Sequence, residues 1–293
     1  MFTIVGIVVV FAAILTGYLM EHGNLTVLIQ PAELIIIGGA AIGTLLIANP
    51  MHILKQIAGG FGIAFGDSPH GKQRYLESMK MMYELFSRAR RDGMMALETD
   101  SDNPEESPIF SKYPSFLKDH HALAFVCDSI RMASSGSVEP FDADQMIELD
   151  MEVHHHGATQ PVAALSTVAD SLPGLGIVAA VLGVVITMGA LGGPPDEIGK
   201  KVAAALVGTF LGILMCYGFV GPLSSNLAKA ADAENAYYLV LRVMIIAFMK
   251  GSAPTLAIEF GRRAIPSHLR PTFQEAEKFI KEKAAVPAAA AAA

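Results

Sequence analysis

Two long uncharged stretches decide the fold of this chain: residues 171–195, SLPGLGIVAAVLGVVITMGALGGPP, and residues 202–228, VAAALVGTFLGILMCYGFVGPLSSNLA. A helix needs about 20 consecutive apolar residues to cross the ~30 Å hydrocarbon core of a membrane. Both stretches reach that length, and neither contains Asp, Glu, Lys or Arg. They therefore predict two membrane-spanning helices that follow one another in the chain.

The composition of the whole chain agrees with a membrane protein. Of its 293 residues, 52% are hydrophobic and 17% are charged, a balance typical of that class. Two further apolar stretches, residues 2–20 and 34–53, are long enough to span. We expect the first to be retained, since no basic residue precedes it as in a signal peptide. The second is interrupted at Asn49-Pro50, so residues 51–65 are predicted to lie along the membrane interface.

The distribution of Lys and Arg sets the expected orientation. The connection at residues 21–33 has none, whereas ten occur between Pro50 and Ser171 and nine follow Ala228. Positive side chains accumulate on the cytoplasmic side of a membrane. The long middle segment, the tail and both termini are therefore predicted to be cytoplasmic, and the short connection at residues 196–201 to face outward.

These observations predict an all-α membrane protein with four transmembrane helices. A large helical cytoplasmic domain lies between the second and third, and helices three and four extend into the cytoplasm. The expected division is residues 1–66 for the first two helices and the interfacial segment, 67–169 for the cytoplasmic domain, 170–228 for the last two helices, 229–283 for a cytoplasmic helical region, and 284–293 for a disordered alanine-rich tail.

The predicted cytoplasmic domain is acidic. Residues 67–152 contain 9 Lys or Arg against 17 Asp or Glu, a net charge of −8, and the whole chain carries −7. Proteins that bind nucleic acid present a basic surface. No nucleic-acid partner is therefore expected.

Residues that would mark an enzyme or a metal site are missing from the sequence. His154, His155 and His156 are consecutive, so on a helix they point about 100° apart and do not converge on one ion. The two cysteines, Cys127 and Cys216, form neither a disulfide framework nor a zinc site. The motifs HExxH, GxSxG and GxxxxGK[ST] do not occur. We expect no enzyme activity, no metal and no cofactor.

The predicted spans lack a central titratable group. Glu33 and Asp170 lie at span ends, and the polar groups expected deeper inside are hydroxyls: Thr44, Thr187, Thr209 and Tyr217. An ion needs a titratable or coordinating group to cross hydrocarbon. If this chain conducts ions, a partner must therefore supply the acid.

The predicted spans contain several glycines and prolines. Gly208 and Gly212 form a GxxxG pattern, as do Gly39 and Gly43, which predicts close helix packing. Pro173 is expected in the first turn of its helix, where a proline costs little. Pro222 lies inside a predicted helix, so it either kinks a static helix or has a mechanical role.

A cluster of charges follows the first helix of the predicted cytoplasmic domain. On an uninterrupted helix Arg91 and Glu98 would share a face, while Arg90 would lie about 80° from Glu98. One interpretation is a solvated surface with weak pairs such as Glu84 with Arg88. The other is a docking surface for a charged protein partner.

Several of these stretches resemble the MotA family of flagellar motor stator subunits. The strongest likeness is in residues 170–185, DSLPGLGIVAAVLGVV, residues 207–214, VGTFLGIL, and residues 217–223, YGFVGPL. Arg90, Gly93, Leu97-Glu98, Asn103-Pro104-Glu105, Phe110, Tyr113-Pro114 and Glu259-Phe260-Gly261-Arg262 also follow the family pattern. The likeness covers nearly the whole chain except the alanine tail.

This resemblance implies a pentamer in the bacterial inner membrane around a dimer of MotB, whose transmembrane aspartate carries the ion and whose periplasmic domain binds peptidoglycan. It implies that Arg90 and Glu98 contact the rotor protein FliG and that Pro173 and Pro222 couple ion passage to movement. Thr209 would line the ion route, and we assign Asp170 to a position near its cytoplasmic exit.

The resemblance also bears on the ion. Sodium-driven relatives resemble this sequence but carry a threonine at the position of Ala180, whose methyl group cannot coordinate a cation. A proton is therefore the expected ion, and a sodium-driven PomA-like stator is the alternative. Two functions of a different kind also stay open: an ExbB/TolQ-like energiser of a periplasmic partner, which has three spans, and a membrane enzyme with a regulatory cytoplasmic domain.

Overall fold

The computed structural model describes residues 2–66, 70–189 and 191–281, and all regular secondary structure in those residues is helical. In this part of the chain thirteen α-helices follow one another. They are α1 Phe2–Met20, α2 Leu25–Leu28, α3 Pro31–Ala48, α4 Met51–Phe65, α5 Lys72–Asp92, α6 Ala96–Asp102, α7 Pro114–Leu117, α8 His120–Ser134, α9 Pro140–Met188, α10 Pro195–Leu214, α11 Gly221–Met249, α12 Pro254–Ala264 and α13 Phe273–Lys281. A 3₁₀ helix spans Phe110–Lys112, and a π-helix spans Met215–Val220.

Four helical stretches in the described part of the chain are long and apolar enough to cross a membrane: Phe2–Met20, Leu25–Ala48, Pro140–Met188 and Pro195–Met249. The predicted all-helical protein with four apolar spans is confirmed. The predicted tail, residues 284–293, lies outside the described residues.

The chain divides into two compact units. The first, called here the apolar unit, comprises residues 1–67 and 156–231; the second, the polar unit, comprises residues 68–155 and 232–293. The helix α9 contributes to both, and each unit is described by itself below.

The apolar unit has two clusters of buried side chains. One contains Ile37, Ala41, Ala169, Leu172, Ala179 and Cys216, and the other contains Ile53, Ile57, Ala164, Leu165 and Leu227. The helix α1 buries none of its residues against the described part of the chain. Large apolar side chains such as Ile35 and Ile47 are exposed, as expected of a surface that meets lipid or other subunits.

The second and fourth spans differ in detail from the sequence prediction. The helix α3 ends at Ala48, and α4 begins as a separate helix at Met51, because Pro50 interrupts the backbone bonds of a continuous helix. Residues 196–201, predicted as a loop, form the first turns of α10. Two acidic side chains there, Asp196 and Glu197, favour a helix N-terminus.

The third span is part of one uninterrupted helix of 49 residues, α9, with Pro161 and Pro173 inside it. The prediction that Pro173 occupies a first turn is therefore wrong. A proline removes one backbone hydrogen bond, and in a long helix with neighbours on both sides this loss is tolerated.

The π-helix ends at Val220, two residues before Pro222. The amide of Gly221 donates to the carbonyl of Cys216, five residues earlier, in place of the usual four. Because Pro222 has no N–H to continue the regular ladder, the wider turn joins α10 to α11 without a break.

The polar unit is built around α5. Met79, Met81, Met82 and Leu85 of this helix are completely buried, and the ring of Phe86 stacks on Phe248 of α11 with centroids 4.3 Å apart. The helices α6, α12 and α13 also pack on α5. These contacts hold α6 in a fixed position against the buried helix α5.

Candidate functional site

Arg90 and Glu98, the two predicted docking residues, lie on either side of a sharp turn in the polar unit. The helix α5 ends at Asp92, and Gly93 has a φ of 89°, a conformation that glycine adopts at little cost. Both side chains are exposed, and neither forms an ion pair with any described residue. We call Arg90 and Glu98 the charged edge.

The geometry predicted for an uninterrupted helix is wrong here. Because the chain turns at Gly93, Arg91 and Glu98 do not belong to one helix. The guanidinium of Arg91 instead pairs with the carboxylate of Asp92 at 2.8 Å. Because of this turn, Arg90 lies on α5 and Glu98 lies on α6. The relative position of the two helices depends on other contacts.

The second expected pair, Glu84 with Arg88, also does not form. Glu84 accepts hydrogen bonds from Lys112 at 2.7 Å and from the hydroxyl of Tyr113 at 3.1 Å. Arg88 reaches across to α6 and pairs with Asp100. Glu84 and Arg88 thus pair with residues of other elements rather than with each other.

A buried ion pair fixes α6 against α5. Asp100 is 1% exposed, and the Nη1 atom of Arg88 lies 2.9 Å from its Oδ1 and 2.8 Å from its Oδ2. The hydroxyl of Ser107 donates to the same Oδ1 at 2.7 Å. A buried carboxylate that is bound by a guanidinium and by a hydroxyl holds its helix in one place. The pair of Arg88 with Asp100 therefore positions Glu98, which lies two residues before Asp100.

The helix α8 supplies a second attachment for α6. Arg131 pairs with Asp102 at 3.0 Å and donates to the carbonyl of Ser101 at 2.7 Å. On the same helix Cys127 is 4% exposed, and burial raises the pKa of its thiol to about 11. This thiol is therefore unreactive while α6 and α8 remain packed.

The histidine run is divided among separate partners. Nε2 of His154 lies 3.2 Å from a carboxylate oxygen of Glu234, and Nε2 of His155 lies 3.8 Å from one of Asp232. His156 is exposed. His154 and His155 thus contact different acidic residues of α11.

In the apolar unit, α9 and α10 approach each other at glycines. A Cβ added at Gly212 would lie 2.6 Å from the carbonyl oxygen of Leu172 and 2.9 Å from the Cα of Gly176. A Cβ added at Gly183 would lie 2.6 Å from that of Ala205. Only glycine permits these approaches. We call Gly176, Gly183, Gly208 and Gly212 the glycine seam.

The other GxxxG pattern behaves differently. A Cβ added at Gly39 or Gly43 would have no described atom within 4 Å. The predicted close packing therefore does not occur at that pattern among the residues that the structure describes, whereas Gly208 and Gly212 do pack closely.

The structure brings Ala180 to the glycine seam. A Cβ added at Gly208 would lie 3.3 Å from the backbone nitrogen of Ala180, and Thr209 is the next residue. Two other hydroxyls are occupied within their own helices, since Thr44 donates to Ala41 and Thr187 donates to Gly183. The hydroxyl of Thr209 forms no hydrogen bond with any described residue.

The remaining predicted residues are spread over the apolar unit. Pro173 is partly buried in α9, three residues after the exposed Asp170, and Pro222 is exposed at the start of α11. Tyr217, in the π-helix, is 74% exposed. Within residues 2–66, 70–189 and 191–281, these positions do not converge on one pocket.

Sequence reasoning missed one residue of the apolar unit, Glu33. The sequence places it at the outer end of a span, yet it is only 7% exposed, and its Oε2 has no hydrogen-bond partner among the described residues. A Cβ added at Gly208 would lie 2.7 Å from this oxygen. Glu33 therefore lies in the first turn of α3, at the span end that the sequence predicts, but its carboxyl group is buried.

Comparison with known proteins gives the family. Residues 4–93 match the family model described as Motility protein A N-terminal, and residues 118–238 match the MotA/TolQ/ExbB proton channel family. The chain is 38% identical to Motility protein A of Escherichia coli over 281 residues, covering 96% of this chain and 95% of that protein. It is 34% identical to Chemotaxis protein LafT of Vibrio parahaemolyticus, covering 95% of this chain and 98% of that protein.

Two solved structures have a similar fold. The structure of Campylobacter jejuni MotAB aligns with a TM-score of 0.74 at 19% identity, covering 90% of this chain and 95% of that chain. The flagellar MotAB stator complex of Bacillus subtilis aligns with a TM-score of 0.71 at 23% identity, covering 88% and 92%. At these identities the likeness concerns the fold.

Proposed function

Because this chain belongs to the Motility protein A group of the MotA/TolQ/ExbB proton channel family, and is a multi-pass membrane protein, we propose that it is the stator subunit that drives a flagellar rotor. In this proposal it forms a proton channel together with MotB. Ion flow through that channel is converted into torque on the rotor protein FliG. In this proposal the transmembrane proton gradient supplies the energy, and no cofactor takes part.

The observation that carries the proposal is the likeness to Motility protein A of Escherichia coli over nearly the full length of both chains. The apolar unit is consistent with this function, because the glycine seam places Ala180 beside Gly208 and leaves the hydroxyl of Thr209 without a described partner. We propose that this hydroxyl contacts ions or water along the pathway.

We propose a pentamer of this chain around a MotB dimer in the inner membrane, with both termini cytoplasmic. The similar solved structures are MotAB complexes, which supports a partner of that kind. The exposed apolar surface of α1 and of Ile35 and Ile47 provides area for lipid and for further subunits. A transmembrane aspartate of the partner is the main ion carrier.

The charged edge is the proposed contact with FliG. Arg90 and Glu98 are exposed, have no described ion-pair partner, and belong to helices that are fixed by the pair of Arg88 with Asp100. Charges that are held in place but unpaired select a partner by electrostatic complementarity. Pro173 and Pro222 are the proposed coupling residues, and Asp170 is the proposed group near the cytoplasmic exit.

A proton is the proposed ion because Ala180 offers no oxygen to replace water around sodium. The sodium-driven PomA-like stator is the alternative within this family. An ExbB/TolQ-like energiser is less consistent with four apolar helical stretches, and the named relatives are motility and chemotaxis proteins rather than enzymes.

The test is reconstitution in liposomes with and without MotB, with proton flux measured after an imposed potential. We expect flux from the complex and a background rate from this chain alone. A complex of both proteins without flux would contradict the channel function. Full flux from this chain alone would contradict the assignment of the main carrier to the partner.

A further inference from the structure

The carboxyl group of Glu33 lies against the middle part of another helix. Glu33 is in the first turn of α3, and its Oε2 faces α10 at Gly208. Gly208 comes 13 residues after Pro195, the first residue of α10, which corresponds to about 20 Å along the helix at 1.5 Å per residue. The start of α3 therefore meets α10 well inside its length.

Glycine at position 208 makes room for this carboxyl group. A Cβ there would lie 2.7 Å from Oε2 of Glu33 and 3.1 Å from the Cβ of Ala179, and both distances are too short for an unstrained side chain. The same point is 3.3 Å from the backbone nitrogen of Ala180. The carboxyl group thus lies at the level of Ala180 and Thr209.

The burial of Glu33 needs an explanation because Oε2 has no described hydrogen-bond partner. A polar group buried without a partner is unfavourable, and an ionisable residue inside a membrane span is usually functional. An acidic side chain in the first turn favours a helix N-terminus, but this role does not require Oε2 to be buried without a hydrogen-bond partner.

We propose that Glu33 is a second protonatable site of the ion path, contributed by this chain in addition to the carrier of the partner. Its carboxylate Oε2 accepts a proton from a hydronium ion on one side, which becomes water, and later releases the proton to a water molecule on the other side. One O–H bond forms and the same bond later breaks, so no redox partner is needed. This inference rests on the proposed channel function.

The first test compares Glu33→Gln with Glu33→Asp in complexes with MotB reconstituted in liposomes. Glutamine keeps the size and polarity of the side chain but cannot carry a proton, whereas aspartate can. We expect Glu33→Gln to reduce proton flux per assembled complex about a hundredfold, the low end of what a positioned proton-transfer group supplies. Glu33→Asp should retain more flux than Glu33→Gln.

The matched control is Glu21→Gln, which removes an exposed carboxylate from the connection before α3 and should leave flux unchanged. Wild-type flux in Glu33→Gln would overturn this inference and leave the channel function intact. An inactive wild-type complex would instead overturn the proposed function, so the two failures are distinguishable.

A second measurement does not depend on assembly of the glutamine variant. The complex is prepared with ¹³C-labelled Glu carboxyl groups, which separates their infrared absorption from that of the partner's aspartate. We expect the absorption of a protonated Glu carboxyl that shifts in D₂O and disappears in Glu33→Asp. Absence of this band in the wild-type complex at every pH between neutral and mildly acidic would overturn the inference.

Discussion

Replacement of Asp100 by alanine should loosen the helix that carries Glu98. The substitution removes the carboxylate that binds both Arg88 and Ser107, and it leaves the guanidinium of Arg88 without its partner. Arg88 is 27% exposed, so water compensates part of this loss. The matched control is Asp102→Ala, two residues later on α6, whose carboxylate is 55% exposed and pairs with the 45% exposed Arg131.

The expected loss of stability follows from these contacts. A hydrogen bond to a charged group contributes about 1.5–3 kcal/mol, a neutral one about 1 kcal/mol, and breaking a buried pair costs about 3–5 kcal/mol before rehydration. For Asp100→Ala we therefore expect a loss of about 3 kcal/mol. At roughly 2–4 °C per kcal/mol for a unit of this size, the apparent Tm of the polar unit should fall by about 6–12 °C.

The control should behave differently because exposed ion pairs contribute about 0–1 kcal/mol. Asp102→Ala should therefore shift the apparent Tm by no more than about 4 °C.

Labelling of Cys127 provides the assay. This thiol is buried on α8, so a maleimide reaches it only when α6 and α8 separate, and Cys216→Ala removes the other thiol. Labelling is followed during heating of the detergent-solubilised full chain. Equal transitions for Asp100→Ala and Asp102→Ala would refute the claim that the buried pair fixes α6.

Four further predictions concern function and pH. Arg90→Glu and Glu98→Lys should each reduce swimming at least about tenfold with normal membrane levels, and a charge reversal in FliG should restore part of it; normal swimming of both variants would favour a solvated surface. Pro222→Ala supplies a backbone N–H and should keep proton flux while abolishing rotation, as measured by tethered-cell assays alongside flux. Glu259 pairs with two arginines, which lower the pKa of its carboxyl group to about 2. Its stabilising effect of about 2 kcal/mol is therefore present above pH ~4.5 and is lost as the pH falls towards 2. The Tm difference between wild type and Glu259→Gln should disappear over that range. With Ala180 in the seam, swimming speed should be independent of external sodium and should stop with a protonophore; speed that follows sodium would contradict proton drive.

The four apolar spans could be predicted from the sequence because length and lack of charge are sufficient conditions for a spanning helix. The close approach at Gly208 and Gly212 could be expected but not distinguished from Gly39 and Gly43. The two patterns have the same GxxxG spacing, and the position of a neighbouring helix decides which one is packed.

The continuity of α9 could not be predicted because Pro173 is common in first turns and is also tolerated inside membrane helices. The ion-pair partner of Arg88 could not be predicted from the sequence either. Glu84 is four residues away and satisfies the local rule, but the turn at Gly93 brings Asp100 within 2.8 Å. Local spacing predicts contacts along one helix and says nothing about contacts made after a turn.

Glu33 shows why position in a sequence is a poor guide to depth in a membrane protein. It lies near the start of a span in the chain, and hydropathy alone places it at the surface. The burial of a side chain is set by the helix against which it packs, and Glu33 packs against Gly208 of α10. If the partner held the only acid, an apolar side chain at position 33 would fill the room at Gly208 without burying a polar atom. A carboxyl oxygen that occupies this space without a described hydrogen bond is unfavourable for stability, and we attribute this cost to the proposed proton-binding role.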